Sequence, residues 1–280
     1  MLKQFFSYTL IVAFLLCHPV SALAGKIKLI YGNWDSAIAS ASVVKFLLED
    51  ELGYEVGLIK TATVSDMWQS VASGKADFML CAWLPTSQNS YLEKNKHKVV
   101  DLGPNLRGAR VGLIVPSYVT INSVEEVSKK EDKFSQEIVG ISKDTGLMKH
   151  TQKLVDHYQL DMNIVYGSEG SMLAVLKNRI KRKEWVMITG WTPHWMFQTW
   201  DLKYLKAPRN FYGGEEFVNT IIRKGLESDV PGLMRFLKKF HWKIDDVTRI
   251  ISWMHKGMEP GAAAKRWIKE NQVKVGRWLR

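Results

Sequence analysis

The stretch TGWTPHWMF, Thr189–Phe197, is the most informative part of this chain. It follows Trp185–Ile188, an apolar run with the length and composition of a buried strand. Pro193 ends that strand, because its ring fixes φ and its nitrogen carries no proton, and both properties suit the first turn of a helix. Trp191 is therefore predicted at the carboxyl end of a strand, where open α/β sheets bind their ligands.

Two further stretches share this pattern of a strand that ends in a tryptophan. They are KLIYGNWDS, Lys28–Ser36, and FMLCAWLPT, Phe78–Thr86, and in all three the tryptophan is followed within two residues by Asp or Pro. A lone tryptophan at such a position is equally well explained as a core residue. Three at equivalent positions predict a shared cleft lined by Trp34, Trp83 and Trp191. Because indole faces carry negative electrostatic potential, such a cleft suits a quaternary ammonium group.

The turn GISKDTG, Gly140–Gly146, supplies complementary chemistry. It joins a predicted strand, Glu137–Ile141, to a predicted helix, Thr145–Tyr158. Backbone N–H groups at the start of a helix form a favourable anion site. An ordinary strand–helix connection would explain the turn equally well, because one glycine-containing turn is a weak signal. If this turn binds an anion and lies beside the cation-binding cleft, the two sites together predict a ligand that is a zwitterion.

The alternation of predicted strands and helices indicates an α/β protein with two lobes, each a mostly parallel sheet flanked by helices. Arg110–Val115 is predicted to cross between the lobes, and Asp229–Arg280 is predicted to be helical. The expected division is lobe 1 over residues 25–111 and 212–280 and lobe 2 over residues 112–211. The predicted strands are Lys26–Tyr31, Tyr54–Lys60, Asp77–Trp83, Arg110–Val115, Glu137–Ile141, Met162–Tyr166, Trp185–Gly190 and Phe217–Ile222.

The first 24 residues, Met1–Ala24, have the features of a cleaved export signal. Lys3 precedes a short apolar core, and Ala22–Ala24 is a small-x-small cleavage site. The apolar part is too short for a transmembrane helix. Cleavage lowers the formal charge from +11 to +10, because Lys3 is the only charged residue lost. The mature chain then keeps one cysteine, Cys81, so we expect an exported protein without an internal disulfide.

The basic composition by itself does not indicate nucleic-acid binding. Lys and Arg are scattered along the chain, and no zinc-finger, RNP or helix-turn-helix pattern is present. Most of this charge is best explained as solvated surface, with weak attraction to anionic membranes as a secondary alternative.

The sequence also argues against an enzyme. It has no G-x-S-x-G, no H-E-x-x-H and no evident pair of catalytic carboxylates. It lacks the G-x-x-x-x-G-K-[ST] loop, so it is not an ATPase. We expect neither a cofactor nor a metal ion.

Six motifs resemble one known family. The chain is similar to the glycine betaine/proline betaine substrate-binding proteins of ABC importers, which have the two-lobed type II periplasmic-binding fold with the ligand between the lobes. The nine-residue stretch quoted first is highly specific, and the shorter motifs support it over nearly all of the mature chain. The motifs are NWDS (Asn33–Ser36), AWLPT (Ala82–Thr86), DLGPNL (Asp101–Leu106), TGWTPHWMF (Thr189–Phe197), DLKYL (Asp201–Leu205) and TIIRKG (Thr220–Gly225).

The resemblance assigns roles to particular residues. It implies that Trp34, Trp83 and Trp191 form the ammonium cage and that the backbone N–H groups of Gly140 and Ile141 hold the carboxylate. Some members of the family add a histidine five residues after the second cage tryptophan.

This chain has Gln88 at the histidine position. Glutamine can donate a hydrogen bond to a carboxylate but brings no charge. Gln88 is therefore a possible carboxylate contact, and glycine betaine is the expected ligand. Choline, carnitine, proline betaine and dimethylsulfoniopropionate stay open, as does an exported sugar-binding module, because tryptophan also stacks on sugar rings.

The function implied by the resemblance is capture of a quaternary-ammonium compatible solute in the periplasm during osmoprotection. The lobes are expected to close on the ligand by a hinge motion. The closed protein, expected to be a monomer, would deliver the ligand to a membrane permease that is driven by a separate ATPase subunit.

Overall fold

The structure is a computed structural model that describes residues 26–280. The predicted export signal, Met1–Ala24, lies outside the described residues. The strands are β1 (Ile27–Gly32), β2 (Val56–Thr61), β3 (Phe78–Leu84), β4 (Val99–Pro116), β5 (Glu137–Val139), β6 (Asn163–Val165), β7 (Ile188–Thr192), β8 (Leu202–Tyr204) and β9 (Glu216–Arg223).

Helices connect and cover these strands. They are α1 (Asp35–Phe46), α2 (Val64–Ala72), α3 (Asn89–Asn95), α4 (Gly146–Tyr158), α5 (Glu169–Lys181), α6 (Met196–Thr199), α7 (Arg209–Tyr212), α8 (Leu226–Asp229), α9 (Pro231–Lys239), α10 (Ile244–His255), α11 (Pro260–Glu270) and α12 (Gln272–Leu279). A π-helical segment, Leu47–Glu51, continues α1, and two short 3₁₀ segments, Val124–Lys129 and Glu131–Phe134, precede β5. The predicted helical character of the chain after residue 229 is confirmed.

The strands form a mixed sheet in the order β2-β1-β3-β9-β4-β7-β5-β6, with β8 beside β4. β1 is parallel to β2 and β3, and β5 is parallel to β6 and β7, whereas β4 is antiparallel to β9, β7 and β8. The two-lobed α/β class is confirmed, but the expectation of mostly parallel sheets is wrong. Parallel neighbours need a crossover within one lobe. β4 leaves lobe 1 and β9 returns to it, so these two strands run in opposite directions.

The long strand β4 passes through both lobes. Its partner is β9 up to the pair Ala109–Glu216 and becomes β7 from the pair Arg110–Thr192 onward. The predicted lobe division after residue 111 falls next to this change of partner. The residue bounds of the lobes stay a prediction.

Sequence patterning accounts for some strands better than others. β3, FMLCAWL, is buried at all seven positions, as expected for a central strand that is covered on both faces. The first half of β4 was not predicted, because VVDLGPNLRGA contains Gly, Pro and charges. That half pairs with β9 through three register shifts, and such bulges accommodate residues that a regular strand excludes.

Within residues 26–280, none of the helices combines the length and the apolar character that a bilayer crossing requires.

Cys81 lies in β3 with its side chain buried, and burial raises the pKa of the thiol to about 12. Since the thiolate is the reactive form, this thiol is inert at neutral pH.

Candidate functional site

A cavity of about 370 Å³ lies between the two lobes. Residues of lobe 1 that line it include Trp34, Trp83 and Gln88, and residues of lobe 2 include Ile141 and Trp191. The three tryptophans predicted to share a cleft thus line one cavity, although they are far apart in the sequence. The remaining wall consists of residues at or just before the starts of α4 and α5, among them the acidic Asp144 and Glu169, and of five further residues: Asn33, Ala62, Val64, Ser87 and Val111.

Trp34 is placed by the glycine that ends β1. It is the N-cap residue of α1, and its backbone N–H donates to the Gly32 carbonyl at 3.0 Å. Its ring lies over Gly32 so closely that a Cβ on Gly32 would be 1.6 Å from a ring carbon. The absence of a side chain at Gly32 is therefore what allows the indole to occupy this part of the cavity wall.

Trp83 and Trp191 lie inside their strands, one residue before the strand ends, and not beyond them. Trp83 pairs with Val218 and Trp191 pairs with Val111, so sheet hydrogen bonding sets both backbones. The two side chains are 6% and 8% exposed, yet both line the cavity. The two explanations of such a tryptophan, core packing and ligand contact, are thus compatible.

A histidine that sequence reasoning missed supports Trp191. The His194 ring meets the Trp191 ring edge-on, with centroids 5.0 Å apart. Its Nδ1 accepts a hydrogen bond from the Met196 N–H at 3.0 Å, which assigns the proton of the neutral ring to Nε2. Nε2 lies 3.1 Å from a carboxylate oxygen of Glu169, a residue on the cavity wall. His194 sits inside the quoted motif, so its proximity to Trp191 was the available signal.

The carboxyl group of Asp35, at the start of α1, has a raised pKa. Burial raises its pKa to about 6, with a further upward contribution from the Glu169 carboxylate and a smaller opposing one from His194. Asp35 belongs to lobe 1, and Glu169 and His194 belong to lobe 2. The interface beside the cage thus brings acidic groups of both lobes together.

Gly140 and Ile141 occupy different environments. The Gly140 N–H donates to the Val165 carbonyl at 2.9 Å, and Gly140 is not among the residues that line the cavity. Its N–H is thus already used, which corrects the expected role. A Cβ at this position would lie 2.3 Å from the terminal methyl of the Met148 side chain in α4, so a larger residue would displace that flexible side chain.

Ile141 and the start of α4 do line the cavity. Gly146 and Leu147, the first two residues of α4, are on its wall together with Ile141. Within residues 26–280, the N–H groups of these three residues have no hydrogen-bond acceptor. The Thr145 side chain caps the helix by accepting from the Met148 N–H. The free N–H groups and the helix dipole make this end of the cavity favourable for an anion.

Gln88 is almost fully buried, at 4% exposure, and lines the cavity. Its Oε1 accepts from the Trp68 indole N–H at 2.8 Å. Because that indole nitrogen can only donate, this bond fixes which way the amide faces and leaves Nε2 as the available donor. Trp68 itself has no exposed surface, as expected for a core residue.

A buried carboxylate holds the loop before Gln88. One oxygen of Glu216 accepts from the Ser87 N–H at 2.9 Å and from the Ser87 hydroxyl at 3.1 Å. Its other oxygen has no partner within the described part of the chain. Burial raises the pKa of this carboxyl above its ordinary value. Sequence reasoning missed Glu216, because 129 residues separate it from its partner.

The two lobes approach each other closely at the edge of the cavity. A Cβ on Gly146 would lie 1.8 Å from the Ser87 carbonyl oxygen. The start of α4 in lobe 2 therefore packs directly on the loop that carries Gln88 in lobe 1.

Among residues 26–280, no group of three or more His, Cys, Asp or Glu side chains is arranged to hold a metal ion.

The fold and this cavity define a two-lobed substrate-binding protein. A family model described as the substrate binding domain of ABC-type glycine betaine transport system matches residues 25–270. The chain therefore belongs to this family of substrate-binding domains, and the resemblance inferred from its motifs is confirmed.

Solved structures agree with this membership. Lactococcal OpuAC, in a closed conformation complexed with glycine betaine, is 39% identical, with a TM-score of 0.86 over 91% of this chain and 99% of that one. The glycine betaine, L-proline-binding protein ProX from Borrelia burgdorferi is 35% identical, with a TM-score of 0.87 over 91% and 97%.

A curated relative matches over a shorter region. The glycine betaine/carnitine transport binding protein GbuC of Listeria monocytogenes is 40% identical over 144 residues, which is 50% of this chain and 48% of that protein. The chain thus aligns with about half the length of this relative.

Proposed function

We propose that this protein captures glycine betaine between its lobes for an ABC importer. The observation that carries the proposal is one cavity with three indoles and a group of free backbone N–H donors on its wall. Those two features match the trimethylammonium and the carboxylate of this zwitterion. The names of the relatives, which bind glycine betaine or related solutes, support the same ligand.

The ammonium group would lie among Trp34, Trp83 and Trp191. A quaternary ammonium has no N–H to donate, so hydrogen-bonding groups contribute little to its recognition. Indole faces attract it through the ring quadrupole, and the attraction is strongest where water is excluded. Trp83 and Trp191 are almost fully buried, and Trp34 is half-buried.

The carboxylate would lie at the start of α4. Its donors would be the N–H groups of Ile141, Gly146 and Leu147, with the Gln88 amide Nε2 as a further neutral donor. Gly140 would contribute by letting α4 pack closely against β5, and its own N–H would stay in its bond to Val165.

Ligand capture would be coupled to closure of the lobes. The contact between Gly146 and the Ser87 loop forms only when the lobes meet, and both sides of it line the cavity. The closed protein would act as a monomer in the periplasm and pass the ligand to a membrane permease with its ATPase. It would perform no chemistry on the ligand.

Choline is the second candidate, for an electrostatic reason. The cavity wall includes two acidic residues, Asp144 and Glu169, and within the described part of the chain it includes no Lys, Arg or His. A wall of this kind favours a ligand with net positive charge, and choline carries the same trimethylammonium group. The free N–H donors at α4 favour glycine betaine, because its carboxylate accepts several charge-assisted hydrogen bonds, whereas the choline hydroxyl offers one neutral acceptor atom.

Calorimetric titration with glycine betaine, choline and a maltose-type sugar tests these proposals. Charge-assisted hydrogen bonds contribute on the order of 1.5–3 kcal/mol each, so even one predicts about tenfold or greater preference for glycine betaine over choline. Equal or tighter binding of choline would reassign the ligand. Binding of the sugar alone would support the alternative of a sugar-binding module.

A further inference from the structure

A pair of stacked rings joins the two lobes outside the ligand cavity. His255 is the last residue of α10 in lobe 1, and Trp195 is the N-cap residue of α6 in lobe 2. Their ring centroids are 3.5 Å apart and their planes differ by 12°, so the two rings overlap face to face at van der Waals distance. Neither residue is among those that line the cavity, so the stack lies outside the ligand contacts.

Trp195 is held on the lobe 2 side by neighbouring rings. Its centroid lies 5.5 Å from that of the His194 ring and 5.4 Å from that of the Trp200 ring. His194 in turn meets Trp191, the cage residue of lobe 2, edge-on at 5.0 Å. A continuous row of rings thus leads from the cage through His194 and Trp195 to His255.

The helix that carries His255 starts where the chain crosses between the lobes. α10 packs against α1 and β4, and its first residue, Ile244, lies beside Gly108, since a Cβ on Gly108 would be 3.6 Å from the Ile244 side chain. The next residue, Ala109, is the last of β4 to pair with β9, and its partner Glu216 is the first residue of β9. The chain therefore leaves lobe 1 and returns to it at this one place, next to the start of α10.

The far end of α10 is where a hinge motion has its largest effect. With a rise of about 1.5 Å per residue, His255 lies about 16 Å from Ile244 along the helix. A rotation of about 15° at the crossing moves a group at that distance by about 4 Å, which is more than the separation of stacked rings. The Trp195–His255 stack is therefore made when the lobes close and broken when they open.

The His255 ring is neutral in this contact. Burial lowers the pKa of the ring below its ordinary value, and the nearby His194 lowers that pKa further. The attraction is therefore that of two stacked aromatic rings, which contributes beyond the area that they bury. His255 is otherwise exposed, so its replacement should leave lobe 1 folded.

We propose that His255 is a positioning residue for ligand retention, which acts through Trp195 by holding the lobes closed. The stack forms after the ligand has entered the open cleft, so it slows ligand release and leaves ligand entry unchanged. It contacts no ligand atom, so it acts equally on glycine betaine and on choline. The inference rests on the proposed capture of a ligand between the lobes, but not on which quaternary ammonium compound is captured.

Stopped-flow measurement of ligand dissociation from the mature protein tests the stack, with intrinsic tryptophan fluorescence as the signal. His255→Ala should release glycine betaine about threefold to tenfold faster than the parent, the factor that corresponds to the coupling of an aromatic pair. The association rate constant should stay the same. His255→Phe keeps a ring against Trp195 and should restore slow release, which a general loss of structure would not allow.

His241→Ala is the matched control. His241 is also an exposed histidine of lobe 1, in the connection between α9 and α10, and its replacement should leave ligand release as in the parent. Faster release from this control, or a failure of His255→Phe to restore slow release, contradicts the assignment to ring stacking. Equal release rates of His255→Ala and the parent overturn the proposal.

A double-mutant cycle tests whether His255 acts through Trp195. Trp195→Ala should also speed release, and adding His255→Ala to it should cause no further change, because the partner ring is already absent. Additive effects of the two substitutions would show that His255 acts independently of Trp195 and contradict the proposal.

Measurement with both ligands separates this proposal from the identity of the ligand. Release of glycine betaine and of choline should be accelerated by the same factor in His255→Ala. Acceleration for one ligand alone would show that His255 acts on the ligand and not on closure, and would overturn the proposal. If the parent does not bind glycine betaine, the proposed ligand is wrong, and the release of choline then tests the stack with the same variants.

Discussion

At the scale of single residues, small side chains shape the site as much as the tryptophans do. Gly32 leaves room for the Trp34 ring, Gly140 lets Met148 pack, and Gly146 permits the approach of Ser87. In each case a side chain would meet another part of the chain, and only at Gly146 is the nearest atom a backbone atom. A substitution at these positions should therefore affect binding by displacing neighbouring groups, because glycine has no side-chain hydrogen bond or charge to lose.

Gly146→Ala should obstruct lobe closure. Its Cβ would lie 1.8 Å from the Ser87 backbone oxygen, which cannot rotate away, so the lobes would have to separate. We expect glycine betaine affinity to fall at least about tenfold, since closure and binding are coupled. Gly170→Ala is the matched control, because it also lines the cavity but meets its nearest atom at 3.8 Å. Equal affinities of both variants, measured by calorimetry, would contradict this prediction.

Trp34→Ala, Trp83→Ala and Trp191→Ala should each weaken binding by about 1–2 kcal/mol or more, the scale of a desolvated cation–π contact. Trp253→Ala is a suitable control, since that partly buried indole packs against Arg266 outside the cavity. Circular dichroism should show that all four variants are folded. If the three cage variants bind glycine betaine like the parent, the cage assignment is wrong.

At the scale of secondary structure, two elements bring donors to one end of the cavity and a third holds one of them in place. α4 presents the unpaired N–H groups of its first turn, β3 leads into the loop that ends at Gln88, and β9 supplies Glu216 to hold that loop. The buried Glu216 carboxylate bonds Ser87, the neighbour of Gln88, so it acts as a positioning residue for the amide.

Gln88→Leu should lower affinity for glycine betaine several-fold and leave choline binding nearly unchanged. The variant removes the amide donor that would face a carboxylate, and it also leaves the Trp68 indole N–H unpaired. The ratio of the two affinities is therefore the informative measurement, because a purely structural defect would weaken both ligands alike. An unchanged ratio would place Gln88 away from the carboxylate.

At the scale of the whole molecule, closure should be linked to proton uptake. Asp35 of lobe 1 has a pKa raised to about 6 by burial and by Glu169 of lobe 2, against a small opposing effect of His194. Opening of the lobes removes the lobe 2 carboxylate and exposes Asp35, so its pKa then falls toward the ordinary 3.8. A group whose pKa is higher in the closed form binds a proton on closure.

Because the closed form binds the proton, a lower pH should favour closure and ligand binding. Glycine betaine affinity should rise as the pH falls from about 6 toward 4, and each pKa unit between the open and closed forms corresponds to about tenfold. Above pH 6 Asp35 is charged in both forms, and closure carries the full electrostatic penalty. Asp35→Asn should therefore bind more tightly than the parent at neutral pH and lose the dependence.

Calorimetry in two buffers with different ionisation enthalpies measures the proton uptake directly. Asp50→Asn, which changes an exposed acidic residue of the same lobe, is the control and should behave like the parent. A parent protein that takes up no proton near pH 5.5, or an Asp35→Asn variant that binds more weakly at neutral pH, would contradict the linkage.

The class of protein, the three tryptophans that line the cavity and the small-residue turn before α4 were predictable from the sequence alone. These are local patterns, in which one strand and the next few residues carry the signal. The same patterns predicted most strands, because burial on both faces leaves a continuous apolar run, as in β3.

Which backbone and side-chain groups of the site are free to bind a ligand became evident from the folded chain. It showed that the Gly140 N–H is bonded to Val165, that Glu169 holds His194 behind Trp191, and that Glu216 holds the loop before Gln88. It also showed the mixed sheet and the pairing of the irregular half of β4. Each of these depends on partners that are 25 to 129 residues apart. Local sequence patterns do not encode which distant group satisfies a buried donor or acceptor, because folding the whole chain makes that choice.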